Sequence, residues 1–356
     1  MTARWGLGLI VAASLAAAPA AGTVLDEALY RQLNQDLVER HVLPRYHAFA
    51  AATAELPAAT TVCAEAPEAL LPAYHTAMDA WMAVALVGIG PVDLDMRGPR
   101  IHYWPDRRNT GGRQFDQLMD ERPRGLTAES LAVGSVALQG LPALERVLFD
   151  QPDDGLDDFE CGLAAAIAEN LAGLGHELAR EWMADRGEAR MIATAGDPDS
   201  YFPSARDVSA DQYQALYEFL QILAQDKLAA PLGASLADAR PRRAESWRSG
   251  RSARNIAINL RAVLDQFSAG DGFGYEDALV ESGGGALAAA IRNALEQAIA
   301  IADALPLDLP DAVADPALRP EVERLYALVD SAREHVGARM GAALGLSMGF
   351  NSLDGD

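Results

Sequence analysis

The apolar positions of the chain recur every three or four residues from Asp26 almost to the C-terminus, the spacing of helices that pack one face against a core. Alanine and leucine fill these segments, and no run of alternating β-branched residues indicates a sheet. The pattern therefore predicts an all-α protein. The long predicted helices cover 26–54, 65–88, 135–149, 157–182, 209–227, 246–267, 284–305 and 316–343.

The segment 135–149 is the predicted helix that combines a buried face with polar groups. Gln139 and Glu145 lie among its regularly spaced apolar residues. Pro142 cannot donate a hydrogen bond to the carbonyl of Leu138, so the helix either kinks here or breaks and restarts. A buried carboxylate indicates either a functional group or a partner for an arginine of a neighbouring helix, and the sequence leaves both interpretations open.

The segment from Gly90 to Arg113 differs from the helices around it, because proline, glycine, arginine and aromatic residues replace alanine. We predict a structured loop, and long loops inside helical domains are often functional. The alternative is that its tryptophan fills a gap in the packing while its arginines pair with acidic helices. The segment concentrates Arg97, Arg100, His102, Trp104, Asp106, Arg107 and Arg108 in an otherwise acidic protein.

The length of 356 residues exceeds what one core usually supports, so we expect two domains. The glycine- and proline-containing segment 185–208 is the predicted boundary. The predicted parts are a signal peptide at 1–22, an N-terminal domain at 23–190 and a C-terminal domain at 191–356. Each domain holds enough helices for a four-helix bundle.

Two further groups of polar residues lie in the C-terminal half. Arg248, Ser252, Asn255 and Asn259 are spaced by four, three and four, so they share one helix face, which is either a polar interface or an exposed side. The chain ends with the oxygen donors Asn351, Asp354 and Asp356. Their spacing does not match a calcium loop, and a tail docked through Phe350 is the favoured interpretation.

The sequence at the N-terminus predicts that the protein is exported. Arg4, an apolar stretch and a small-residue cleavage site at 18–20 have the order of a secretory signal. No later stretch reaches the roughly 18 apolar residues that a membrane span requires. In an oxidising compartment, two cysteines favour a disulfide, so we predict that Cys63 bonds to Cys161. The expected location is the periplasm, if the source has two membranes.

The formal net charge of −22 argues against a nucleic-acid partner, because an acidic surface repels phosphate backbones. Such a surface favours metal ions or cationic partners, although acidity also serves solubility alone.

A set of short motifs makes the chain resemble the imelysin family of exported bacterial proteins over nearly all of its mature length. The motifs are Gly90-Pro91, Arg100-Ile101 with Trp104-Pro105-Asp106, Ser135-Val136 with 139–145, Glu245-Ser246 with Arg248-Ser249, Asn255, Asn259, Gly349-Phe350-Asn351 and Asp354-Gly355-Asp356. The resemblance implies two four-helix bundles with a functional cleft between them. It also implies a link to bacterial iron uptake, and an older metallopeptidase assignment.

One departure from the family pattern bears on metal binding. The family signature Gly-x-His-x-x-Glu places two metal ligands on one helix face, whereas this chain has Gly140-x-Pro142-x-x-Glu145. Proline has no donor atom, so a metal at Glu145 needs ligands from elsewhere. The six histidines are scattered, no His-Glu-x-x-His motif is present, and for His102 a hydrogen-bonding or packing role is favoured over ligation.

We therefore expect a non-catalytic exported protein that binds a ligand or partner at an interdomain cleft in iron uptake. The alternatives are a metal-dependent peptidase, with Glu145 as ligand or general base, and a scaffolding partner of an outer-membrane receptor. The expected partners are a metal ion, a small ligand or an envelope protein, with iron as the candidate cofactor. Glu145 is also the predicted metal ligand, and Arg100 is predicted to counter the charge of Glu145 or Asp106. The predicted ligand-binding residues are Arg100, Asp106, Gln139, Glu145, Asn255, Asn259, Asn351 and Asp354.

Overall fold

The computed structural model describes residues 25–150 and 155–349, and every regular element within those ranges is helical. The prediction of an all-α fold is confirmed. The predicted signal peptide and the predicted site residues Asn351 and Asp354 lie outside the described residues. The α-helices, numbered in chain order, are α1 Glu27–Asp36, α2 Leu43–Ala54, α3 Leu56–Thr60, α4 Leu70–Val84, α5 Arg97–Ile101, α6 Thr110–Glu121, α7 Ala128–Ala132, α8 Gly140–Phe149, α9 Asp158–Met183, α10 Glu188–Ala193, α11 Ala205–Gln221, α12 Ala230–Leu232, α13 Ser252–Ser268, α14 Tyr275–Glu281, α15 Gly285–Ala304, α16 Leu309–Ala314, α17 Arg319–Glu334 and α18 Gly341–Leu344.

The N-terminal helix set, as we name it, consists of α2, α4, α8 and α9. The longest helix, α9, packs along α2 and also contacts α8, while α2 packs on α4. Helix α1 runs into α2 through the π-helical segment Leu37–Val42, and Pro44, which has no N–H to donate, lies just after that segment. The predicted helix over 26–54 therefore continues through three helical segments.

Local sequence signals fix the start of α9 and its covalent link to α3. The carboxylate of Asp157 accepts hydrogen bonds from the N–H groups of Phe159 and Glu160, and the carboxylate of Glu160 accepts one from the N–H of Asp157. This is the predicted capping box. Cys161, in the first turn of α9, forms a disulfide with Cys63, which follows α3. The predicted disulfide is confirmed.

The C-terminal helix set consists of α11, α13, α15 and α17, with α15 packed between α13 and α17. Helix α11 begins at Ala205 behind the cap Ser204, so the predicted start at Ser209 is wrong. The Ser209 hydroxyl is buried and donates instead to the side-chain oxygen of Asn34, 2.7 Å away. The predicted start of the last helix near 316 is also wrong, because 316–318 form a turn before α17.

The two helix sets are in contact. Helix α1, which runs into α2, packs on α11, and α4 packs on α13. Their buried apolar side chains form one continuous cluster. The segment 184–204 contains α10 and contributes the buried Ile192, Ala195 and Phe202 to that cluster. The division of the chain into domains at residue 190 stays a prediction.

The segment 90–113 is more regular than the predicted loop. It begins with the 3₁₀ segment Gly90–Met96, which is kinked at Leu94 and Asp95 before α5, and leads through irregular residues 102–109 into α6. The predicted structured loop therefore contains short helical segments as well as the irregular residues 102–109. The irregular residues are nevertheless the part that approaches the C-terminal half of the chain.

Candidate functional site

A pocket of about 540 Å³ lies between the two halves of the chain. One wall comes from the irregular residues after α5 and from the start of α8, and the other from the segment that connects α11 to α13. A pocket of this volume suits a small molecule. The lining residues are Tyr103, Trp104, Pro105, Asp106, Arg107, Asn109, Gly111, Ala137, Pro142, Glu145, Arg146, Asp226, Ala230, Arg242, Arg243, Ala244, Ser246, Trp247 and Arg248.

The start of α8 is held against α5 by close backbone packing at Gly140. This glycine has φ +75°, and a Cβ placed on it would lie 2.2 Å from the carbonyl oxygen of Ile101. Only glycine fits this backbone conformation and this approach. Pro142 lies in the first turn of α8, where it breaks no helical hydrogen bond. Of the two predicted alternatives, the structure has the break: one short helix ends at Leu138, and α8 begins at Gly140. The packing places Pro142 and Glu145 on the pocket wall.

Glu145 is almost fully buried at the edge of the pocket, and its partner comes from the opposite wall. One carboxylate oxygen accepts hydrogen bonds from the N–H and the hydroxyl of Ser249, at 3.0 and 2.6 Å. Burial raises the pKa of Glu145, although the two Ser249 hydrogen bonds and the charge of Arg248 oppose this shift. Among the described residues no arginine forms an ion pair with Glu145, so the predicted arginine pairing is not observed.

We expect Glu145→Gln to be at least as stable as the parent at neutral pH, because the amide oxygen still accepts from Ser249 and no buried charge remains. Folding raises the pKa of Glu145, so the parent gains stability as the pH falls from the raised pKa towards the ordinary one. The advantage of the variant should therefore be largest at neutral pH and shrink in acid. Urea unfolding at several pH values measures this difference.

The matched variant Glu145→Leu removes the acceptor and leaves the N–H of Ser249 without a partner, while the Ser249 hydroxyl keeps only the carbonyl of Ser246, at a cost of about 1–3 kcal/mol. A Glu145→Gln variant that is destabilised as strongly as Glu145→Leu at neutral pH would contradict the account of this carboxylate.

A fully buried ion pair lies next to the pocket wall. The ammonium of Lys227 donates to both oxygens of Glu245, at 2.8 and 2.7 Å, and to the side-chain oxygen of Asn259 at 2.7 Å. Asn255 donates to the same carboxylate at 3.0 Å. The ring centre of Trp104, which lines the pocket, lies 5.5 Å from the ammonium. The pair therefore supports one wall of the pocket from inside the core.

Burial and ion pairing shift the pKa values of Lys227 and Glu245 in opposite directions. Burial lowers the pKa of Lys227, and the adjacent Glu245 charge opposes that shift. For Glu245, burial alone would raise the pKa, but the charge of Lys227 and the hydrogen bonds that the carboxylate accepts from Lys227 and Asn255 lower it overall. Glu245 therefore stays ionised against the ammonium.

His102 is buried beside this pair, with Nε2 3.6 Å from a carboxylate oxygen of Glu245. Burial lowers its pKa to about 4, so the imidazole is neutral at pH 7. Across the described part of the chain, no group of three or more His, Cys, Asp or Glu side chains is arranged to hold a metal ion. The assignment of Glu145 as a metal ligand stays a prediction.

Comparison with known proteins identifies the family. The imelysin family model matches residues 42–335. The chain belongs to the imelysin family. No curated protein matches it.

Two solved structures share the imelysin fold. An imelysin-like protein from Psychrobacter arcticum 273-4 has 20% sequence identity and a TM-score of 0.77, and the match covers 93% of this chain and 100% of that one. A putative iron-regulated protein A precursor from Parabacteroides distasonis ATCC 8503 has 13% identity and a TM-score of 0.70, and the match covers 91% of this chain and 96% of that one. At these identities the likeness shows the fold alone.

In this imelysin the predicted site residues fall into separate groups. Asp106 and Glu145 line the pocket. Asp106 also caps α6, because its carboxylate accepts from the N–H groups of Thr110 and Gly111, both at 2.7 Å. Asn255 and Asn259 are fully buried around the Lys227–Glu245 pair instead of facing the pocket.

Arg100 and Gln139 belong to an amide network outside the pocket lining. Arg100 donates to the side-chain oxygens of Gln139 and Asn170, both at 3.2 Å, and Asn170 donates to Gln139 at 3.1 Å. The prediction that Arg100 counters the charge of Glu145 or Asp106 is wrong, because amide oxygens take its hydrogen bonds. This network joins α5 and α9 to the residue that precedes α8.

The pocket residues that the sequence reasoning missed lie mainly in the segment 226–249. Arg242, Arg243 and Trp247 line the pocket and received no role. Behind the wall, Lys227 received none either, and Ser249 appeared only as part of a motif. The density of arginine between 240 and 251, in an acidic chain, was the available signal. Among the described residues no helix is both long and apolar enough to cross a membrane.

Proposed function

We propose that this protein is an exported, non-catalytic binding protein that holds a ligand in the pocket between the two halves of its chain and serves bacterial iron uptake. The observation that carries the proposal is the pocket itself, since both halves of the chain build it and the hydrogen bond between Glu145 and Ser249 joins them at its edge. The disulfide supports export, because disulfides persist in oxidising compartments. The description of one structural neighbour as an iron-regulated protein precursor supports the link to iron.

Growth under iron limitation tests the proposal. A strain that lacks the gene is complemented with the parent, with Ala230→Trp or with Ala234→Trp. Ala230 lines the pocket and is only partly buried, so a tryptophan there fills the pocket without removing a charge. Ala234 is exposed four residues later and lies outside the pocket lining.

The parent and Ala234→Trp should restore growth, and Ala230→Trp should not, at equal amounts of exported, folded protein. Full restoration of growth by Ala230→Trp would show that the pocket does not serve iron uptake.

A metal-dependent peptidase is the second candidate, and Glu145 is the observation in its favour. A carboxylate with a raised pKa at a pocket wall suits a general base. Pro142 opposes this candidate, since it stands where the family motif supplies a metal-binding histidine. Metal-dependent peptide cleavage by the parent that Glu145→Gln abolishes would favour the peptidase over the binding protein.

A further inference from the structure

We propose that the pocket binds a small organic anion carrying two or more carboxylates, free or as its ferric complex, and that Arg242 and Arg243 bind its carboxylates. This inference rests on the proposed function, because it names the ligand class of the same pocket. It follows from the charge, the pairing and the orientation of the pocket arginines.

The pocket reverses the charge balance of the chain. The whole sequence has 29 lysines and arginines against 51 aspartates and glutamates. Among the lining residues, arginines outnumber carboxylates, and each wall contributes residues of both kinds. The arginines are Arg107, Arg146, Arg242, Arg243 and Arg248, and the carboxylates are Asp106, Glu145 and Asp226. A basic concave site in an acidic protein attracts anions selectively to that site.

Three of the five arginines already have carboxylate partners. Arg107 pairs with Asp226 at 2.9 Å. Arg146 and Arg248 share the two oxygens of Asp150, at 3.1 and 2.6 Å. These pairs hold their guanidinium groups at the pocket wall and neutralise part of the local charge.

Arg242 and Arg243 make no side-chain hydrogen bond or ion pair with any residue that the structure describes. Both line the pocket and both are exposed. Each guanidinium presents donors that match a carboxylate with two parallel hydrogen bonds. The two consecutive arginines therefore offer donors for two carboxylates at the pocket entrance.

Trp247 orients the guanidinium of Arg242. The Arg242 guanidinium lies 5.2 Å from the centre of the Trp247 ring, and that of Arg248 lies 4.4 Å from it. Stacking on an indole face restrains a guanidinium while its N–H edge stays available for an oxyanion. The restraint lowers the entropy that Arg242 loses when an anion binds.

The acidic side chains of the pocket leave this positive charge in place. Asp106 accepts two backbone N–H groups of α6, and Glu145 accepts from Ser249. Within the described part of the chain, neither carboxylate forms an ion pair with Arg242 or Arg243. Ferric ion is a hard cation that carboxylate oxygens bind, so a ferric polycarboxylate presents the same anionic groups to the pocket.

Calorimetric titration of the mature protein tests the inference, with citrate, ferric citrate and inorganic phosphate as probes. The buffer contains about 0.15 M salt, which screens weak attraction to exposed arginines. The variants are Arg242→Gln, Arg243→Gln and Arg240→Gln. Arg240 is the matched control, because it is exposed in the same segment but does not line the pocket.

We expect citrate or ferric citrate to bind the parent at one site per chain, at least about tenfold more weakly in Arg242→Gln and Arg243→Gln, and unchanged in Arg240→Gln. Phosphate should bind the parent more weakly than the polycarboxylates. Three results would each overturn the inference: no polycarboxylate binding by the parent, an equal loss in Arg240→Gln, or phosphate binding as tight as that of citrate.

The growth experiment separates this inference from the proposed function. If no polycarboxylate binds but Ala230→Trp still fails to restore growth, the pocket is functional and the ligand class is wrong. If Ala230→Trp restores growth, the proposed function fails, whatever the pocket arginines bind.

Discussion

Replacement of Lys227 by methionine is expected to lower the free energy of unfolding by about 3–5 kcal/mol, the cost of leaving a buried charge without its partner. The ammonium donates to Glu245 and Asn259, and all three side chains are buried. Methionine fills similar space but donates nothing, so the carboxylate keeps only Asn255 as a hydrogen-bond donor among the partners observed here. Urea unfolding of the parent and the variant measures the loss.

Two controls make this result specific. The double variant Lys227→Met, Glu245→Gln removes both charges and should cost clearly less than the sum of the two single variants. Arg107→Met breaks the partly exposed pair with Asp226, the residue before Lys227, and should cost no more than about 1 kcal/mol. A loss below about 1 kcal/mol for Lys227→Met would contradict the description of a fully buried pair.

Removal of the disulfide is expected to lower the free energy of unfolding by about 2–5 kcal/mol, near the upper end because the bridge closes a long loop. Cys63 and Cys161 are 98 residues apart, and the bridge ties the end of α3 to the first turn of α9. Without it, the unfolded chain gains the freedom that the loop had restricted. Denaturant unfolding of the double variant Cys63→Ser, Cys161→Ser measures the effect.

The reductant provides the internal control for this prediction. Full reduction of the parent should reproduce the loss seen in the double serine variant, and the same reductant should leave that variant unchanged. Equal stability of the oxidised and the fully reduced parent would show that the bridge adds nothing to stability.

The features that local signals determine were predicted from the sequence. Helical spacing gave the all-α class, and the Asp157–Glu160 pair gave the start of α9, because both depend on residues close together in the chain. The cysteine pair was predictable because the chain contains only two cysteines. The start of α11 was not, because Ser209 has the chemistry of a cap but its hydroxyl finds a tertiary partner in Asn34.

The candidate site was predicted only in part, because tertiary packing decides which polar residues reach the pocket. The sequence drew attention to Asp106 and Glu145, and both line the pocket. It also favoured Asn255 and Asn259, whose side chains turn to the Lys227–Glu245 pair in the core. Whether a polar helix face meets a pocket or a buried charge depends on tertiary packing, which spacing along one helix does not report.

The contribution of the connecting segment 226–249 to the site depends on how the two halves meet. Arg242, Arg243 and Trp247 lie on a short connection before α13, and they face Pro142 and Glu145 only because the two helix sets pack together. Residues from a connection and from a distant helix share no sequence periodicity. The charge contrast with the rest of the chain was the sequence signal for Arg242 and Arg243.

The central claim is that the ligand occupies the pocket between the two halves of the chain. Native mass spectrometry of the mature protein, purified without unfolding from iron-limited cells, tests that claim most directly. The account predicts one small-molecule adduct per chain in the parent and in Ala234→Trp, and its loss in Ala230→Trp. An adduct of equal occupancy in Ala230→Trp, or no adduct in the parent, would contradict it.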